Sequence, residues 1–222
     1  VDPNPDTWQP EFAYALRQHV EQWERGTIPD TIFLPEWGQS WVLVPQRTQL
    51  HKGPPHKWIR LPARGGPWVA IATGPRGLWA LAKSGHVKAL GRAPTLGSLS
   101  EPSAPAVSIA AMHKLPGYWI LLQDGRVHAF GRAMRFEQKV TPHGNACKIR
   151  ACPLGHGYWI LYTSGRIEAL GDAQHYGMGI PAGTKARNLI PTPDGKGYWI
   201  VCDDLQMMAY GNAQSWSHIS PF

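Results

Sequence analysis

The stretch Gly117–Gly131, "GYWILLQDGRVHAFG", decides the fold, because Gly157–Gly171 repeats it as "GYWILYTSGRIEALG". The phrase also begins at Gly77 ("GLWALAKSGHVKALG") and Gly197 ("GYWIVCDDLQMMAYG"), so the four starts step by 40. A degraded copy lies upstream at Gly38–Gly53, "GQSWVLVPQRTQLHKG". The five copies align Trp41, Trp79, Trp119, Trp159 and Trp199, and they close on Gly53, Gly91, Gly131, Gly171 and Gly211. Five residues past each closing glycine stands a large apolar residue: Trp58, Leu96, Phe136, Tyr176 or Trp216.

Within one copy the pattern reads as strands. "AVSIAAM" (106–112) is an apolar, β-branched run between Pro105 and Pro116. "YWILLQ" (118–123) follows, and Asp124-Gly125 separates it from "RVHAF" (126–130). Two such runs around Asp-Gly predict a tight hairpin. In the last run Val127 and Ala129 alternate with Arg126 and His128. The Ala129 column repeats as Ala89, Ala169 and Ala209, while the His128 column varies as Lys88, Glu168 and Met208. One face is confined and the other free, as in a half-buried strand. A short fourth strand is expected after each "GRA", "GDA" or "GNA" turn.

Such a meander cannot bury both of its faces alone, and stacking copies side by side buries them. A period near 40 with three or four strands predicts an all-β fold, a five-bladed β-propeller. A solenoid suits this turn density less well. The propeller is expected over residues 28–222, with repeats centred near 38–58, 77–96, 117–136, 157–176 and 197–216.

Residues 1–27 form a separate N-terminal segment. In "PEFAYALRQHVEQWERG" (10–26), Phe12, Leu16, Val20 and Trp23 fall on one face of a predicted amphipathic helix. Packed on the propeller, that face is structural. Presented outward, it is a partner-docking tether.

At 222 residues the chain is long enough for one large core. No run of 18 apolar residues occurs, so no transmembrane helix and no membrane insertion are expected. The first 30 residues lack a secretory leader pattern. Beginning at Val1 fits either a removed initiator Met or a leader already cleaved. Three cysteines, Cys147, Cys152 and Cys202, read as buried free thiols rather than a disulfide framework.

Charge is unevenly placed. Residues 1–36 hold seven acids and two bases, residues 37–100 nine bases and no acid. Arg47, Lys52, Lys57, Arg60 and Arg64 mark the densest basic stretch, a candidate surface for an acidic partner. Nucleic acid stands behind protein or glycan as that partner. The bland reading is a solvated face partly neutralised by the acidic segment.

Signatures of chemistry are missing. The chain has no G-x-S-x-G elbow, no H-E-x-x-H and no phosphate-binding glycine loop. No cofactor, no metal site and no catalytic residue are expected. The Trp column reads as packing. Tyr118, Tyr158 and Tyr198 beside it are the candidate ligand-binding residues, offering rings for sugars. Neighbours in a strand point to opposite faces, so Trp and Tyr are not expected both to wall one site.

"GYWILLQDGRVHAFGRA" and "GDAQHYG" (171–177) resemble the tandem "GYWLV-ASDGG-V-FAFGDA" repeat of actinobacterial surface proteins and of their phages. "DGRVHAFG" is more distantly similar to regulator of chromosome condensation-type repeats. The likeness covers 77–216 well and 38–58 poorly. It implies a propeller with an interaction role and no catalytic residues. The expected function is a non-catalytic structural component of an extracellular assembly, preferably a phage tail or capsid-surface protein in a virion. The alternatives are a lectin-like binder of cell-envelope glycans and an intracellular hub acting through basic blades.

Overall fold

In four of the copies the middle strand begins at one glycine and the outer strand ends at another, and the two glycines pair. In the computed structural model Gly117 lies opposite Gly131, and Gly157 opposite Gly171. The reason is space. A Cβ on Gly157 would lie 2.6 Å from the amide nitrogen of Asp172, and Gly171 has φ 66°. A side chain is crowded out at the first and strained at the second.

The structure describes residues 30–34, 39–44, 49–52, 57–61, 67–137, 145–153, 155–204 and 206–215, with side chains from residue 61 onward. The strands are β1 (Asp30–Leu34), β2 (Gln39–Val44), β3 (Gln49–Lys52), β4 (Lys57–Arg60), β5 (Trp68–Gly74), β6 (Gly77–Ala82), β7 (Val87–Gly91) and β8 (Ala106–Ala111). They continue as β9 (Gly117–Leu122), β10 (Val127–Gly131), β11 (Ala146–Ala151), β12 (Gly157–Tyr162), β13 (Ile167–Gly171), β14 (Ala186–Pro191), β15 (Gly197–Cys202) and β16 (Met207–Gly211). All described pairings are antiparallel between consecutive strands. Sheet I holds β1–β4, and sheets II to V hold β5–β7, β8–β10, β11–β13 and β14–β16.

This corrects the five-bladed expectation. The repeated unit occurs four times, as sheets of three strands, twelve strands in all. Sheet I is built differently. In the true repeats the middle-strand Trp lies opposite alanine on the outer strand, as Trp119 does with Ala129. Trp41 lies opposite Lys52 instead, so the small-residue column is broken there. The sheets pack in chain order through their inner strands: β1 on β5, β5 on β8, β8 on β11, β11 on β14. Among the described residues no strand of sheet V packs substantially on sheet I, so a closed ring of five blades is not established there. No helix occurs among them either. The predicted amphipathic helix, with Phe12, Leu16, Val20 and Trp23, lies outside the described residues, as does the division at residue 27.

Nor does a fourth strand follow the outer strand of sheets II to IV. Residues 92–100, 132–137 and 172–180 run as irregular tails. The hairpins are looser than a two-residue Asp-Gly turn. Gly125 N donates to Leu122 O at 3.0 Å, with Gly125 at φ 93°, a type I turn followed by a left-handed residue. Leu122 N also donates to Arg126 O at 2.9 Å, and the last copy, which lacks the glycine, makes the corresponding bond from Cys202 N to Gln206 O at 2.9 Å.

The core lies between sheets rather than inside them. One cluster joins Trp79, Leu81 and Ala72 of sheet II to Tyr118, Ile120 and Ile109 of sheet III. The next joins Trp119 and Leu121 to Tyr158, Ile160 and Ile149. Backbone bonds lace the same seams: Ala106 N to Lys83 O at 2.9 Å, Ala146 N to Gln123 O at 3.0 Å, and Ala186 N to Thr163 O at 2.9 Å.

Candidate functional site

Trp and Tyr do leave opposite faces of their own sheet, but consecutive sheets bring them together. Trp79 meets Tyr118 with ring centroids 5.2 Å apart, Trp119 meets Tyr158 at 5.2 Å, and Trp159 meets Tyr198 at 5.8 Å. Each indole N–H then donates to the carbonyl fifteen residues on. The acceptors are Pro94 O (2.9 Å), Met134 O (2.7 Å), Gln174 O (2.7 Å) and, for Trp199, Gln214 O (2.8 Å).

The three candidate ligand tyrosines therefore sit inside the seams. Tyr118, Tyr158 and Tyr198 are 0%, 1% and 0% exposed. The hydroxyls of Tyr118 and Tyr198 donate to Gly97 O and Gly177 O, each at 2.5 Å. Burial pushes the phenol pKa of all three upward. These rings are positioned to hold sheets together.

The basic candidates are described only in part. Lys52 ends β3 and lies opposite Lys57, the start of β4, while Arg60 lies opposite Gln49. Arg47 and Arg64 lie outside the described residues.

Charge varies from sheet to sheet at one end of the row. Here each outer strand leaves through a turn bonded to the inner–middle turn of its own sheet. The bonds are Arg92 N to Arg76 O (2.9 Å), Arg132 N to Pro116 O (3.0 Å), Asp172 N to His156 O (3.3 Å) and Asn212 N to Lys196 O (3.1 Å). Arg92, Arg132, Asp172 and Asn212 are thus the same structural position, all exposed. Over sheets II and III this end carries exposed Arg76, Arg92, Lys114, Arg132 and Arg135, together with exposed Leu115 and Met134. None of these five cations forms an ion pair among the described residues. The ion pairs there are Arg126–Asp124, Arg166–Glu168 and Arg187–Asp203. Over sheets IV and V the same end carries Asp172 and Asp194. The signal for this position was present in the sequence as the one variable residue inside the constant "G-x-A" turn.

Between sheets IV and V at this end lies a groove of about 400 Å3, lined by Asp172, Gln174, Tyr176, Asp194 and Lys196 with Cys152 and two glycines. Asp172 Oδ2 accepts from His156 N at 2.7 Å. Asp194 Oδ1 accepts from Thr192 Oγ1 (2.8 Å) and Lys196 N (3.1 Å), and its Oδ2 from Asn212 Nδ2 (2.7 Å). Burial alone would raise the Asp194 carboxyl, but these donors outweigh it and hold the pKa below the ordinary value. The Tyr176 hydroxyl donates to Gly195 O at 2.9 Å. A second hollow of about 440 Å3 at the opposite end is walled by Pro67, Pro102, Ala104 and Pro105 with Lys83, Ser84 and Ser103.

Among the described residues no group of three or more His, Cys, Asp or Glu is placed to hold a metal ion. The described cysteines are free. No described helix is long and apolar enough to cross a membrane, which says nothing of a β-barrel.

No protein-family model matches the chain, and no curated protein matches it. Among solved structures it is similar to a catalytically inactive variant of virginiamycin B lyase from Staphylococcus aureus, solved with quinupristin. The TM-score is 0.55 at 14% identity, covering 82% of this chain. The chain spans 65% of that protein's length. What the two share is fold: a β-propeller-like succession of repeated antiparallel sheets.

Proposed function

We propose that the protein is a non-catalytic interaction module of an extracellular assembly, docking an acidic partner on the end of sheets II and III. The observation that carries this is the change of charge at one equivalent position, with cations at Arg92 and Arg132, an anion at Asp172 and the neutral Asn212. Buried positions repeat closely because packing constrains them. An exposed turn that changes charge from sheet to sheet is under no such constraint, and it leaves cations concentrated over sheets II and III. Unpaired guanidinium groups suit carboxylates, which they grip by two parallel bonds. Leu115 and Met134, 40% and 53% exposed, add apolar contact among the cations. The likeness of the repeat to those of actinobacterial surface proteins and their phages favours a virion, as a tail or capsid-surface protein.

The test is fractionation of the source into virions, envelope and cytosol, followed by mass spectrometry. The chain is expected in virions, and the Arg92→Glu, Arg132→Glu double variant is expected to be released from them while melting normally. Recovery from cytosol alone, or retention of the double variant, would overturn the reading.

A further inference from the structure

We propose that the groove between sheets IV and V binds a neutral saccharide unit through Asp172, Gln174 and Tyr176. The comparison is internal. Positions one, three and five after the closing glycine of sheet IV line this groove, and the same positions can be compared at sheets II and III. They read Arg92, Pro94 and Leu96 at sheet II, then Arg132, Met134 and Phe136 at sheet III. Only at sheet IV do they become a carboxylate, an amide and a phenol. This set can accept from hydroxyls, donate to them, and offer an apolar ring to a C–H face.

The groups are held in place before any ligand arrives. A Cβ on Gly155 would lie 2.7 Å from both Cβ and Oδ2 of Asp172, so the glycine lets the turn close over that carboxylate. With Oδ2 bonded to His156 N, Oδ1 has no hydrogen bond among the described residues. Gln174 is exposed while its carbonyl is pinned by the Trp159 indole at 2.7 Å. Tyr176 is fixed through its hydroxyl and against the Tyr198 ring, with centroids 5.7 Å apart. Side chains of Asp172 and Tyr176 held in advance reduce the entropy lost on binding. The volume of about 400 Å3 lies within the usual ligand-site range of about 300–1,000 Å3. Two carboxylates repel an anion, and the open Asp172 oxygen, the Gln174 amide and the Tyr176 ring suit a neutral polyhydroxyl ligand.

This site stands apart from the docking end of sheets II and III, and either can fail without the other. The experiment titrates the full chain with the methyl glycosides of glucose, galactose, mannose and N-acetylglucosamine, and with glucosamine, by saturation-transfer NMR. At least one neutral glycoside is expected to saturate. Asp172→Asn and Gln174→Ala should each weaken it about tenfold, as loss of a hydrogen bond to a charged or polar partner does. Arg132→Ala, at the equivalent position of sheet III, should leave it unchanged. Exposed Gln174 can change without unfolding the chain, which a thermal melt checks. Saturation by none of the neutral glycosides, binding of glucosamine alone, or affinity unchanged from the parent chain in both variants would each overturn the proposal.

Discussion

Trp159 joins a sheet to its successor and, through its indole N–H, ties down its own tail at Gln174 O. Its ring is fully buried, at 0% exposure. Trp199 makes the corresponding bond to Gln214 O but is only half-buried. Trp159→Ala should therefore cost about 3–5 kcal/mol, the usual range for an aromatic cavity. Trp199→Ala should cost clearly less. Urea denaturation of the two variants decides it, and equal losses would mean that the seams do not carry the stability. The reading of the Trp column as packing came from its regularity. The tyrosines were harder to read, because facing directions within one sheet say nothing about which ring the next sheet brings.

At the scale of elements, strands were legible and tails were not. The runs 106–112, 118–123 and 126–130 became β8, β9 and β10 within a residue at most ends. The large apolar residue after each turn looked like the end of a fourth strand. In sheets II to IV it serves as a plug instead, whereas Trp58 of sheet I does lie in a fourth strand. A Cβ on Gly171 would lie 2.5 Å from Phe136 Cζ, and one on Gly131 would lie 2.8 Å from Leu96 Cδ1. Each tail thus inserts its side chain against the closing glycine of the following sheet. The period of five residues recorded where the plug sits, not that its backbone is irregular. Phe136→Ala should cost about 2 kcal/mol, below the fully buried range because the ring is half-buried. It should also speed hydrogen exchange in β10 and β13 ahead of the rest. Uniform exchange across all sheets would place the plug outside the seam.

For the whole molecule, the seams bury groups that lose protons at high pH. All six tyrosines of the described residues have pKa values raised by burial. The Cys147 thiol is pushed up to about 12 by burial, with nearby Lys148 and Arg187 pulling the other way. The folded state therefore keeps protons that the unfolded chain gives up from about pH 9 upward. This stability is fully present below that value and is lost as pH rises toward the folded pKa values. Phenolate absorbance should appear late and together with loss of near-ultraviolet circular dichroism. Independent titration of every tyrosine near its ordinary value, with the fold intact, would contradict the seam geometry.

The amino-acid sequence alone determined the 40-residue unit, its strands, the paired glycines and the variable turn residue. These are matters of local period and of room for a Cβ, which neighbouring residues decide. Only the tertiary structure decided that four three-stranded sheets repeat rather than five equal blades, and that Trp of one sheet meets Tyr of the next. Only it gathered Asp172, Gln174 and Tyr176 with Asp194 of the following sheet around one groove. Those outcomes depend on how whole sheets are placed against each other, and a repeat unit carries the shape of its faces without the count or order of the units that will cover them.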